Sequence, residues 1–163
     1  GEIAVGRVGS ALLLSLLACT MEARADNGTE PVWVAPPAAL HGLWYRTDDT
    51  VLCDRFLAAA DPWEHEGSVL IGALWIDDQV LHIWADYGEG DIHRVLHSVP
   101  VAPTQWQLEV SVGMDTWPDL ERDGSFPLWL SLADGVLVWH EQIPQGDTRA
   151  WQRCADLPRR PDY

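Results

Sequence analysis

The chain is short of cations, of cysteine, and of any aromatic residue other than tryptophan. Lys and Arg together number 10 against 25 Asp and Glu, a formal net charge of −15. Self-repulsion on that scale keeps a chain in solution and repels phosphate, which argues against nucleic acid and anionic membrane surfaces as partners. The acid is dispersed, as at Asp48-Asp49, Asp77-Asp78 and 119–123, with no long run of one sign, so it reads as solvated surface rather than an interaction tail. The apolar run Val8–Ala18 has 11 residues, short of the roughly 20 that a helix needs to span a bilayer. There is no internal repeat, no Gly-x-Ser-x-Gly elbow and no phosphate-cradling loop, so no catalytic residue is assigned and the chain reads as non-catalytic. At 163 residues it suits one domain with one core.

What is present begins with a leader. Arg7 precedes the apolar run, and Ala23-Arg24-Ala25 places small residues for cleavage before Asp26, the pattern of a secretory signal peptide over residues 1–25. A competing cleavage starts from Leu16-Leu17-Ala18-Cys19, which resembles a bacterial lipobox and would attach lipid at Cys19, the one route to a membrane. Export implies a periplasmic or secreted protein. Either cleavage takes Cys19 out of disulfide chemistry and leaves Cys53 and Cys154, which an oxidising compartment pairs. Two separately buried thiols are the alternative.

Residues 26–39 form a Pro- and Ala-rich connector, and 157–163 a tail. Between them, over 40–156, short strands alternate with turn signals. The pattern predicts strands over 42–47, 68–76, 80–87, 92–99, 105–112, near Leu128–Leu132, over 135–141 and over 148–154, with a short helix from Val51 to Ala60 capped by Asp49 or Thr50. The clearest strand sets Trp106, Leu108, Val110 and Val112 on one face and Gln105, Gln107, Glu109 and Ser111 on the other, a period of two. Consecutive hairpins predict an all-β, eight-stranded, up-and-down antiparallel barrel, with a sandwich as the alternative.

Gly42-Leu43-Trp44 resembles the Gly-x-Trp motif that opens the first strand in lipocalins and other calycins. In that family the tryptophan closes one barrel end and an arginine of the last strand covers its face; the resemblance implies that role for Trp44 with Arg153, or Arg149. The ordered set Trp44, Cys53, Gly88-Glu89-Gly90, Asp134-Gly135 and Arg153-Cys154 is similar to small secreted lipocalin-like bacterial proteins of unassigned function, over about residues 38–156.

Tryptophan itself is abundant, with ten copies. Each indole N–H wants a partner when buried, so two readings follow. In one, Trp75, Trp84, Trp106 and Trp129 face inward and grip a small hydrophobic molecule; in the other, they are core packing. His93 and His97, four apart on a strand, would share a face about 13 Å apart, too far for one metal, so no metal site is assigned and no cofactor is expected. Asp86, Glu89 and Asp91 around Gly88 and Gly90 read as a solvated hairpin tip rather than a calcium loop. The leading expectation is an exported, lipocalin-like binding domain. The alternatives are an envelope interaction module with a filled barrel, and an enzyme built on His82, Glu89 and His93.

Overall fold

A computed structural model describes residues 29–63, 68–141 and 148–157. The leader, its cleavage sites and Cys19 lie outside the described residues. Eight antiparallel strands form a closed barrel in sequence order: β1 (Gly42–Arg46), β2 (Leu74–Ile76), β3 (Leu81–Trp84), β4 (Gly90–Ala102), β5 (Gln105–Met114), β6 (Phe126–Ala133), β7 (Val136–Glu141) and β8 (Thr148–Ala155). β1 pairs with β8 and closes the cylinder, with Trp44 opposite Arg153. Closure removes the unpaired edges that an open sheet would expose.

Alternation decides what fills the cylinder. Leu74 and Ile76, Leu108 and Val110, Leu128 and Leu130, and Leu137 and Trp139 point inward, joining Trp44, Leu81, Val95 and Trp151 in one buried cluster. Trp44, Trp139 and Trp151 are all fully buried there. Three indoles and a lining of leucines fill the lumen, as an eight-stranded barrel allows.

A second cluster lies outside the wall. Leu43, Tyr45, Trp75, Val80 and Trp84 point outward from β1 to β3 and are covered by Leu70, Ala73 and the half-buried Leu52, Cys53 and Phe56. The last three belong to α1 (Val51–Ala58). Cys53 is disulfide-bonded to Cys154 across a Cα separation of 5.6 Å, fastening the helix to the last strand. Burial on both faces explains why Leu74-Trp75-Ile76 reads as a continuous apolar run, and Leu81 to Trp84 as one broken only by His82, while β5 alternates.

Several expected boundaries move for local reasons. Residues 68–73 form turns instead of the start of a strand: the Ser68 hydroxyl accepts from the Leu70 N–H at 3.2 Å, and Gly72 has a φ of 82°. β3 stops at Trp84, where a 3-10 turn over Asp86–Gly88 puts Tyr87 at a φ of 56°. β4 runs past Pro100 to Ala102. Pro100 opposes Trp106 of β5, while β3 pairs only with Gly90 to His93 on the other side. At Pro100 the strand therefore has a free edge on that side, where proline is tolerated.

The helix starts at Val51 without a side-chain cap from Thr50. Within the acidic loop, α2 (Leu120–Asp123) is capped by Asp119, which accepts from the Arg122 N–H at 2.9 Å. The described part of the connector is tied to the barrel. Val34 bridges to Val95, and Arg94 lies between the rings of Trp33 and Trp117 at 4.7 and 5.2 Å, holding that segment to β4.

Candidate binding site

The two ends of the barrel differ. At one end the 3-10 turn Ala38–Leu40 plugs the opening: Leu40 is fully buried, and the Trp44 indole N–H donates to its carbonyl at 3.0 Å. The Arg153 guanidinium lies over the Trp44 ring at 4.4 Å and donates to the His41 and Ala39 carbonyls at 2.6 and 3.0 Å. Gly42 makes this possible. A Cβ there would collide with that guanidinium, and its φ is 153°, so the glycine of Gly-x-Trp vacates the space the arginine fills.

Among the described residues the opposite end has no such plug. A recess of about 540 Å³ is lined by Asp91 and His93 of β4, Val112 and Met114 of β5, Phe126 of β6, Glu141 of β7, Arg149 of β8 and Asp123 of α2. All but Asp123 lie in the inward phase, as their cross-strand partners show: Leu81 faces His93, Val110 faces Phe126, Leu128 faces Glu141 and Trp139 faces Arg149. The mouth is thus where the inward row changes from apolar to charged.

His93 forms the floor. Its ring meets Trp139 edge-on at 5.0 Å and Phe126 at 6.2 Å. Nδ1 lies 3.1 Å from the Leu81 carbonyl, so that nitrogen carries the proton. Burial pushes the pKa of this imidazole down to about 4, against a smaller upward pull from the Leu81 hydrogen bond. Glu141 is only 9 % exposed; one carboxylate oxygen accepts from the Trp139 indole N–H at 2.9 Å.

The buried imidazole gives stability a pH dependence with a definite sign. Above pH 6.5 the ring is neutral whether folded or unfolded, and it contributes nothing. As pH falls from 6.5 to about 4 the unfolded chain takes up a proton that the folded protein refuses, so stability drops. At about 1.4 kcal/mol per pKa unit the loss reaches about 3 kcal/mol. The variant His93→Gln, which keeps a donor for Leu81, should escape this loss. Urea unfolding of both proteins at pH 7 and pH 4 measures it, and parallel losses would contradict it.

The structure separates the four tryptophans expected to act together. Trp75 and Trp84 lie in the outer cluster rather than facing the lumen, because Leu74, Ile76 and Leu81 take the inward phase. With Trp63 they form a trio whose ring centroids are 5.8 to 5.9 Å apart. The Trp75 indole donates to Asp77 at 2.9 Å, and His82 stacks on Trp84 at 4.6 Å. Trp106 packs half-buried against the inner cluster. It shares a shallow groove of about 220 Å³ with Trp129, Leu130, Val138 and His140.

The histidines separate likewise. A bulge between Val95 and His97 turns His97 out to solvent while His93 stays buried, so the two do not share a face. His82 points outward, its Nε2 3.0 Å from the Glu89 carbonyl, and does not converge with His93. Among the described residues no group of three His, Cys, Asp or Glu side chains has metal-holding geometry.

The mouth escaped sequence reading, although a signal exists. Asp91 and His93 precede Val95, and Glu141 follows Leu137 and Trp139, as polar residues in otherwise apolar strand phases, and such interruptions at strand ends mark a barrel rim. Compared with protein-family models, curated proteins and solved structures, the chain matches none.

Proposed function

We propose that the protein is an exported, lipocalin-like, non-catalytic barrel that holds a small, largely apolar molecule in the recess opposite its plugged end. The recess over Phe126 and His93 carries this reading. Its volume of about 540 Å³ lies within the roughly 300–1,000 Å³ of small-molecule sites, which combine apolar walls with a few polar groups. The wall here is Val112, Met114 and Phe126, with five polar side chains converging from β4, β7, β8 and α2. The lumen beneath is occupied by Trp139 and its neighbours, so a ligand sits at the rim. The Cys53–Cys154 link supports a periplasmic or secreted location, where such bonds persist.

Titration with fatty acids, retinoids and tetrapyrroles, followed by tryptophan fluorescence, tests this. Saturable quenching is expected with at least one class, and Phe126→Asp should abolish it while far-UV circular dichroism stays unchanged. A second reading, an envelope interaction module, is favoured by the filled lumen together with Val99 and Val101, more than half exposed on the outer wall. Flat titrations across every probe would leave that reading standing in place of the first.

A further inference from the structure

The charges around the mouth bear on what kind of molecule would fit, given that it binds one. Three carboxylates line the recess: Asp91, Asp123 and Glu141, against one guanidinium, Arg149. Asp123 is answered outside it by Arg122 at 2.7 Å. Glu141 is different. It is nine-tenths buried; among the described residues its one hydrogen-bond donor is the Trp139 indole, and no Lys, Arg or His nitrogen lies within 4.0 Å of it. A buried carboxylate ordinarily has a cation or several donors. Among the described residues Glu141 has one neutral donor, and its second oxygen, which is not one of the buried unpaired atoms, is left to the recess that Glu141 lines.

The groups beside it suit a cation. The recess is lined by the Phe126 ring and by a histidine that stays neutral at pH 7, and ring faces attract ammonium groups. The wider field points the same way, since a net charge of −15 concentrates small cations at the surface and repels anions.

From this geometry we infer that the mouth takes a protonated amine with an apolar or aromatic body, its ammonium group set against Glu141 and Asp91 and its body against Phe126, Val112 and Met114. The inference rests on the mouth being a binding site at all.

Three probes of one shape test it: 2-phenylethylammonium, neutral 2-phenylethanol and anionic 3-phenylpropionate, each titrated calorimetrically into the disulfide-bonded protein at pH 7 in low salt. The amine is expected to bind at least tenfold tighter than either of the others. Glu141→Gln keeps an acceptor for the Trp139 N–H and should erase that preference, with Asp91→Asn weakening it less. Preference for the alcohol or the acid, or an amine preference unchanged in Glu141→Gln, would overturn the charge assignment and leave the mouth as a site. No binding by any of the three would overturn both.

Discussion

Replacing Cys53 and Cys154 together with alanine is expected to lower the free energy of unfolding by about 4 kcal/mol. The bond joins residues 101 positions apart, and closing a loop of about 100 residues removes unfolded-state entropy worth about 4.7 kcal/mol in the chain model, against a loss of about 2–5 kcal/mol typical of small secreted domains. Native domains hold only about 5–15 kcal/mol in total, so the variant should be marginal, its melting midpoint lowered by roughly 10–20 °C. Local structure concentrates the effect. The bond sits beside the β1–β8 seam that closes the barrel, and α1 has no fully buried residue of its own. Without the bond, amides of Val51–Ala58 should exchange first. Equilibrium unfolding in urea reads the total, and a loss under about 1 kcal/mol would contradict this account.

Trp44→Ala should cost a similar amount, about 3–5 kcal/mol, the usual range for removing a fully buried tryptophan. Three contacts fail at once. The lumen loses its lowest indole, the Leu40 carbonyl loses its donor, and Arg153 loses the face on which it lies. Arg153→Ala should cost less, because that side chain is exposed and solvent screens it. Arg153→Lys should recover little of the loss, since a lysine ammonium cannot reproduce a planar fork on two carbonyls while stacked on a ring. Thermal melts of the three variants order these effects. A Trp44→Ala protein as stable as the parent would mean that the plug at this end contributes nothing.

The barrel was legible because its signals are local. Turn residues such as Asp134 and Gly135, both at positive φ (54° and 76°), suit the tight hairpin that joins β6 to β7. The strict alternation of β5 announces one wet face. The thiol pairing followed from parity and compartment. What stayed hidden depends on tertiary layering. Trp75 and Trp84 look like lumen residues until α1 and residues 68–73 are seen to cover the outer wall, which makes both faces of β2 and β3 apolar. A bulge at Val95/His97 flips the residues from His97 to Pro100, before a second at Pro100/Ala102 restores the phase, and no residue type there announces it. The mouth is assembled from five strands and α2, separated widely in sequence, and only the closed register brings Asp91, Phe126, Glu141 and Arg149 to one rim.

The central claim is that binding occurs at the rim, above a filled lumen and away from the outer tryptophans. It is tested most directly by recording the indole N–H signals of ¹⁵N-labelled protein during titration with 2-phenylethylammonium and with an apolar probe that quenches fluorescence. The Trp139 signal, whose N–H is held by Glu141 beneath the recess, should shift saturably while those of Trp44, Trp75 and Trp84 stay in place. Saturable shifts at Trp75 and Trp84 with Trp139 unmoved would place the ligand on the outer wall and contradict the account.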